Sequence, residues 1–192
     1  MSEGEEQIPH RVGSSVSSRR REATAAEAKA LGHPLRLRIL RLCSGAELTN
    51  KQLAVKLSVE PGTTLYHVRQ LVAAGFLVQE GVRTGESGAL EKPYRSTNVS
   101  WWLSNPLAGA DPQTRNSPIG AFQEELEEAG PESVSTTARF VLHLSHEQIE
   151  ELDRKILAVL DEYIDSDHQR QDQPAHGGIF ILHRLAEQQD VG

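Results

Sequence analysis

Residues 48–77, LTNKQLAVKLSVEPGTTLYHVRQLVAAGFL, hold two apolar periodicities of helical type divided by a run that no helix crosses. Thr49 and Gln52 stand at capping-box spacing, and Leu53, Ala54 and Leu57 line one face of the short helix that follows. Ser58-Val59-Glu60-Pro61-Gly62 interrupts the pattern, since Pro lacks a backbone donor and Gly a side chain. From Thr63 a second helix is predicted to turn Leu65, Val68, Leu71 and Val72 inward and to stop at Gly75, a residue suited to the left-handed turn after a helix. Phe76 to Arg83 reads as extended chain, residues 84–88 as a hairpin tip, and residues 90–97 as the returning strand. Pro93 in that strand predicts an edge position or an irregular pairing. Short helix, tight turn, longer helix, hairpin: the order is that of a winged helix-turn-helix.

The flanking residues divide the rest of the chain. Residues 1–21, rich in Ser, Glu and Arg, read as a disordered tail, and residues 22–99 as the winged domain. Thr24 and Glu27 open a short helix; Pro34 starts another, expected to bury Leu35, Ile39, Leu42 and Cys43 and to turn Arg36, Arg38 and Arg41 outward. Residues 100–135 read as a linker with a short acidic helix over 119–129. Residues 136–192 read as a strand-helix-strand dimerisation or effector module. RFVLHL alternates its apolar residues, and GIFILHRL is an apolar run. Between them Ser145 and Gln148 cap a helix with a seam of Ile149, Leu152, Ile156, Val159 or Leu160, and Tyr163. The expected class is therefore mainly α with α+β elements. A two-stranded sheet under one helix is marginal alone, so this module is predicted to be completed by a second chain.

Charge is divided along the same boundaries. The chain carries −7 overall, but residues 19–99 carry +6 and residues 100–192 carry −11. A basic block beside an acidic one fits a phosphate-facing domain joined to an acidic module. The major groove is about 12 Å wide and admits one helix, whose first turns reach base edges. The polar residues of the second helix, Thr63, Thr64, Tyr66, His67, Arg69 and Gln70, are of the types that such a helix would use.

Taken with LGHPLRLRILRLC, QLAVKLSV, TTLYHVRQLVAAGFL and a hairpin ending in KPYRST, residues 24–98 resemble the arsenic-repressor-like (ArsR) winged-helix regulators, especially their non-metal actinobacterial relatives. The resemblance implies a homodimeric transcriptional regulator, by family a repressor, with a recognition helix over about 62–75 in each of two successive major grooves. By position it implies double-stranded DNA contacts from Thr63, Thr64, Tyr66, His67 and Arg69, positioning contacts from Lys51 and Gln52, and phosphate contacts from Arg83, Lys92 and Arg95. Metal-sensing members carry paired cysteines on the helix before the recognition helix; QLAVKL has none, so neither a metal nor a cofactor is carried over.

Other features weigh less. A winged helix can bind a protein instead of DNA, so an adaptor is the alternative function. Arg19-Arg20-Arg21 reads as a solvated charge run rather than a minor-groove arm. Cys43 reads as a packed thiol rather than a sensor, and Trp101-Trp102 as a packing anchor. His143 and His183 could be strand neighbours, but no zinc-ligand spacing accompanies them. Residues 100–192 hold no Gly-rich turn after a strand and no nucleophile motif, so no enzyme is expected. No apolar run approaches the roughly 20 residues of a membrane span, and the cytoplasm is the expected address. These residues name neither an operator nor a small-molecule effector.

Overall fold

The computed structural model describes residues 20–85, 88 and 90–186. Arg19 and most of the expected tail, and Glu86, Ser87 and Ala89 of the hairpin tip, lie outside the described residues. The order is β1 (Arg21–Glu22), α1 (Ala25–Leu31), α2 (Pro34–Gly45), β2 (Leu48–Thr49), α3 (Asn50–Leu57), α4 (Pro61–Ala73), β3 (Leu77–Gln79), β4 (Arg83–Thr84), β5 (Leu90–Glu91), β6 (Pro93–Ser96), β7 (Leu103–Ser104), α5 (Pro112–Arg115), α6 (Ser117–Ala129) and α7 (His146–Asp165). The fold is mostly helical with a few short strands.

Local chemistry explains most helix boundaries. Thr24 with Glu27, Thr49 with Gln52 and Ser145 with Gln148 form complete capping boxes before α1, α3 and α7. His33 caps α2 through its ring: Leu35 N donates to Nδ1 at 3.2 Å. At the end of α4, Gly75 N donates to Val72 O and Phe76 N to Leu71 O, the paired bonds of a Schellman turn. Gly75 sits at φ +77°, where a side chain would strain the backbone.

Two sheet details depart from the expectation. A strand not foreseen, β2, pairs antiparallel with β6, so β6 lies in the middle of a three-stranded sheet ordered β2-β6-β3. Pro93 therefore sits in a central strand, tolerated because it is that strand's first residue, where its carbonyl still accepts from Glu80 N at 2.9 Å. The expected hairpin is also interrupted: β4 and β5 form a separate two-stranded tip beyond a break at Lys92 and residues 80–82.

The core gathers Leu31, Ile39, Leu53, Val68, Leu71 and Phe76 with Cys43 among them. Burial pushes the Cys43 thiol up to about 12, which keeps it protonated and unreactive at neutral pH. The face of α2 is corrected too. Arg38, expected outward, is buried, where Glu124 and Glu128 of α6 accept from its guanidinium; Arg41 meets Glu125 at 2.8 Å. The acidic helix thus neutralises two arginines of the basic block. Leu35 and Leu42 are only half-buried.

Residues 139–144 and 178–185, expected as strands, form no ladder in this single chain. Phe140, Val141, Leu142 and Ile181 stay exposed, and so do Ile149, Val159, Leu160 and Tyr163 of α7. A ladder needs a neighbouring edge and neither segment meets one here, so water serves their exposed backbone. His143 and His183 consequently lie on unpaired, exposed chain rather than on neighbouring strands. Arg21, expected in the tail, pairs together with Glu22 in parallel with Leu103 and Ser104. Arg21 grips Glu27, and that bond together with the Thr24 amide holds the Glu27 carboxyl down at about 2.

Candidate nucleic-acid interface

Helix α3 packs on α4 through Leu53, Leu57, Val68 and Leu71, and Ser58 makes the turn between them in left-handed conformation at φ 53°. Asn50 ties the two together, its Nδ2 donating to Pro61 O at 2.9 Å. This contact fixes how α4 leaves the turn, and sequence reasoning missed it. The signal was an Asn at the first position of α3, a place where a side-chain amide can reach across a short turn. Pro61 at the first turn lets α4 begin two residues before Thr63.

The buried stripe of α4 is Thr64, His67, Val68 and Leu71, about one residue earlier than the apolar pattern implies. Thr64 is 0% exposed and His67 7% exposed, so neither faces outward as expected. The Thr64 hydroxyl is satisfied from within its own helix turn, and the His67 ring is packed against another ring. Thr64 Oγ1 donates to Glu60 O at 3.1 Å, and the His67 ring lies 4.5 Å from that of His33. Residue type alone had sent both outward; helix geometry turns them in. Burial, with His33 and Arg36 nearby, pulls the His67 imidazole down to about 4, so it is neutral at physiological pH. Its Nδ1 has no hydrogen-bond partner. His33 is also lowered, first by burial and then by Arg36.

What α4 does present is Thr63, Tyr66, Arg69 and Gln70, all exposed. Tyr66 is 59% exposed and braced edge-on against His67 at 5.2 Å. Lys51 and Gln52 are exposed on α3, but the Gln52 carbonyl oxygen is occupied by Thr49 N at 2.8 Å in the capping box. Val55 on the same helix is 73% exposed. In the hairpin, Lys92 is exposed, Arg83 lies near Glu47 and Glu91, and Arg95 donates to Glu80 at 2.7 Å. The structure therefore brings Thr63, Tyr66 and Arg69 to one exposed helix face and sets Arg83, Lys92 and Arg95 on the hairpin beside it in sequence. It removes Thr64 and His67 from that face.

Elsewhere, a cavity of about 420 Å³ opens between the start of α2 and the α5–α6 corner, lined by His33, Gln113, Thr114, Asn116 and Ser117. Among the described residues no group of three or more His, Cys, Asp or Glu side chains could hold a metal ion, and no helix is long and apolar enough to cross a membrane.

Residues 31–80 match the family model described as a helix-turn-helix domain. That span takes in α2, β2, α3, α4 and β3. No curated protein matches the chain. Among solved structures, the chain is similar to the adhesin competence repressor from Streptococcus pyogenes, at 16% identity over 67% of this chain and 79% of that one. The TM-score is 0.31, too low for that likeness to carry an argument.

Proposed function

We propose that this chain is a homodimeric transcriptional regulator that reads double-stranded DNA with α4 in the major groove. The observation that carries the reading is the exposed face of α4: Thr63, Tyr66, Arg69 and Gln70 stand clear of the core on a helix whose opposite stripe is fully packed. These are groups that donate and accept at base edges and phosphates. The helix-turn-helix match over residues 31–80 supports the same use of α4. Lys51 contacts the backbone from α3, and Arg83, Lys92 and Arg95 do so from the hairpin. Arg83 and Arg95 are more than 40% exposed at the side chain, so phosphate can compete with their present carboxylate partners. The arsenic-repressor-like family, repression and a cytoplasmic address belong to the same reading.

Dimerisation follows from the residues after Gly130. Among the described residues most of the α7 seam and of the two unpaired apolar segments around it is exposed, and a second copy covers them. Two copies related by a two-fold axis place two α4 helices on successive grooves.

The deciding experiment is selection of genomic DNA fragments with the purified protein, retested by fluorescence anisotropy at two salt concentrations. A two-fold symmetric site is expected, with half-sites about one helical turn apart and affinity falling steeply with salt. Recovery of sequence-indifferent binding alone would replace this reading with that of a protein-binding adaptor. Thr63→Ala combined with Tyr66→Ala is expected to reduce discrimination between selected and random DNA. Arg69→Ala is expected to weaken both, with a shallower salt slope.

A further inference from the structure

Helix α7 is built the wrong way round for a helix that belongs to one chain. Its one buried residue is a carboxylate, Asp161, 4% exposed, while Ile149, Val159, Leu160 and Tyr163 stand in solvent. At 100° per residue Asp161 lies about 150° around the helix from the centre of that apolar seam. One face of α7 is therefore held by a charge and the opposite face is offered outward.

What holds the charge comes from two distant parts of the sequence. Arg20 Nη2 donates to Asp161 Oδ1 at 2.6 Å, and Trp101 Nε1 donates to the same oxygen at 2.6 Å. The guanidinium carbon of Arg20 lies 4.7 Å from the Trp101 ring centre and 5.6 Å from that of Trp102, and Arg20 Nη1 also donates to the Trp101 carbonyl. Arg20 precedes β1; Trp101 sits in the 3-10 turn Val99–Trp102, between β6 of the hairpin and β7. The parallel pairing of β1 with β7 locks these two suppliers together. A half-buried cation stacked on indoles and bonded to a buried carboxylate has one good geometry, because both groups lose their water and neither can shift without leaving a charge unpaired. Asp161 Oδ2 has no hydrogen-bond partner, so the carboxylate depends on the Arg20 and Trp101 side.

We propose that Arg20, Trp101 and Asp161 form a pin that sets the position of α7 relative to the winged helix, and hence the spacing of the two α4 helices in the dimer. The proposal rests on the dimeric DNA-binding reading above. It assigns no ligand contact to these residues; they are positioning residues, acting on DNA through α7. Arg20 is thereby taken out of the solvated run in which sequence placed it, and Trp101 becomes the contact between domains.

The test uses the full chain with Asp161→Asn or Arg20→Gln. Tryptophan emission reports the pin, sedimentation reports association of the two copies, and anisotropy is measured on a selected two-fold duplex and on a duplex carrying one half-site. Half-site affinity is expected to stay within twofold, which shows that the winged helix is folded, and self-association within threefold. Affinity for the two-fold duplex should fall at least tenfold, with the preference for one half-site spacing flattened. The proposal is overturned if emission changes while two-fold affinity and spacing preference do not, or if half-site and two-fold affinity fall together. A wild-type chain that binds neither duplex overturns the regulator reading itself, before any variant is compared.

Discussion

The winged helix and the residues after Gly130 carry similar kinds of apolar pattern and use them in opposite ways. In the first, Leu53, Val68, Leu71 and Phe76 come together from α3, α4 and the turn after α4, and every buried member of the core cluster lies between Ala30 and Leu107. In the second, α7 is strongly two-faced, and among the described residues most of its seam stands exposed, with Leu152 and Ile156 half-buried. Periodicity states that a face must be covered; it does not state by what. Within residues 30–107 the covering partner is nearby in sequence and on the same chain. After Gly130 no such partner covers the exposed seam among the described residues, and the expected strands do not form.

The difference can be broken most sharply by deleting side-chain volume on each side of it. Phe76→Ala should lower the stability of the winged helix by about 3–5 kcal/mol, whereas Val159→Ala should change monomer unfolding by less than about 0.5 kcal/mol. Urea melts of dilute protein decide it, and equal losses would mean that α7 is packed within its own chain. Next in size, Ile156→Glu with Leu160→Glu should convert dimer to monomer in sedimentation and weaken two-fold-site binding by about 100-fold, or about 2.7 kcal/mol. A variant that remains dimeric would place the interface elsewhere.

A third contrast concerns protons. His67 has an ordinary value of 6.5 and is held at about 4 in the folded chain, so the unfolded chain takes up its proton first. Stability is full above pH 6.5 and is lost as pH falls toward 4, by on the order of 2 kcal/mol. Glu27 acts in a lower window, between its ordinary 4.5 and about 2. Urea midpoints at pH 7 and pH 5.5 therefore weigh the imidazoles most, and His67→Leu should remove at least half of the difference. An undiminished slope in that variant would assign the effect to other groups. The smallest effect expected is from Thr49→Ala, which opens the capping box of α3 and should cost about 1 kcal/mol in the same melts.

Much of the winged helix was legible because its signals are local. Capping boxes, Pro at a first turn and Gly75 after α4 each act within a few residues, and they mark helix ends well. The interior of α4 was less legible. Thr64 and His67 are polar by type, and nothing within α4 itself reveals that Glu60 O and the His33 ring receive them. The charge division was legible as a sum but not as a map, since Arg38 and Arg41 spend their charge on α6. Arg20 and Asp161 are 141 residues apart, and no local pattern links them. Sites assembled across such distances are closed to periodicity and open only to geometry.

The short parallel pair of β1 and β7 also has a kinetic meaning. It joins Arg21 to Leu103, so it closes a loop of about 80 residues, at an entropic cost of about 4 kcal/mol if the intervening chain is unfolded. Two residues of ladder cannot repay that alone. The clasp therefore forms only after α1 to β6 have collapsed and brought its two strands within reach. On a chain made from its N-terminus, β1 is synthesised early and waits for β7, and Arg20 waits longer still for Asp161. A segment made early is thus among the later ones to find its place.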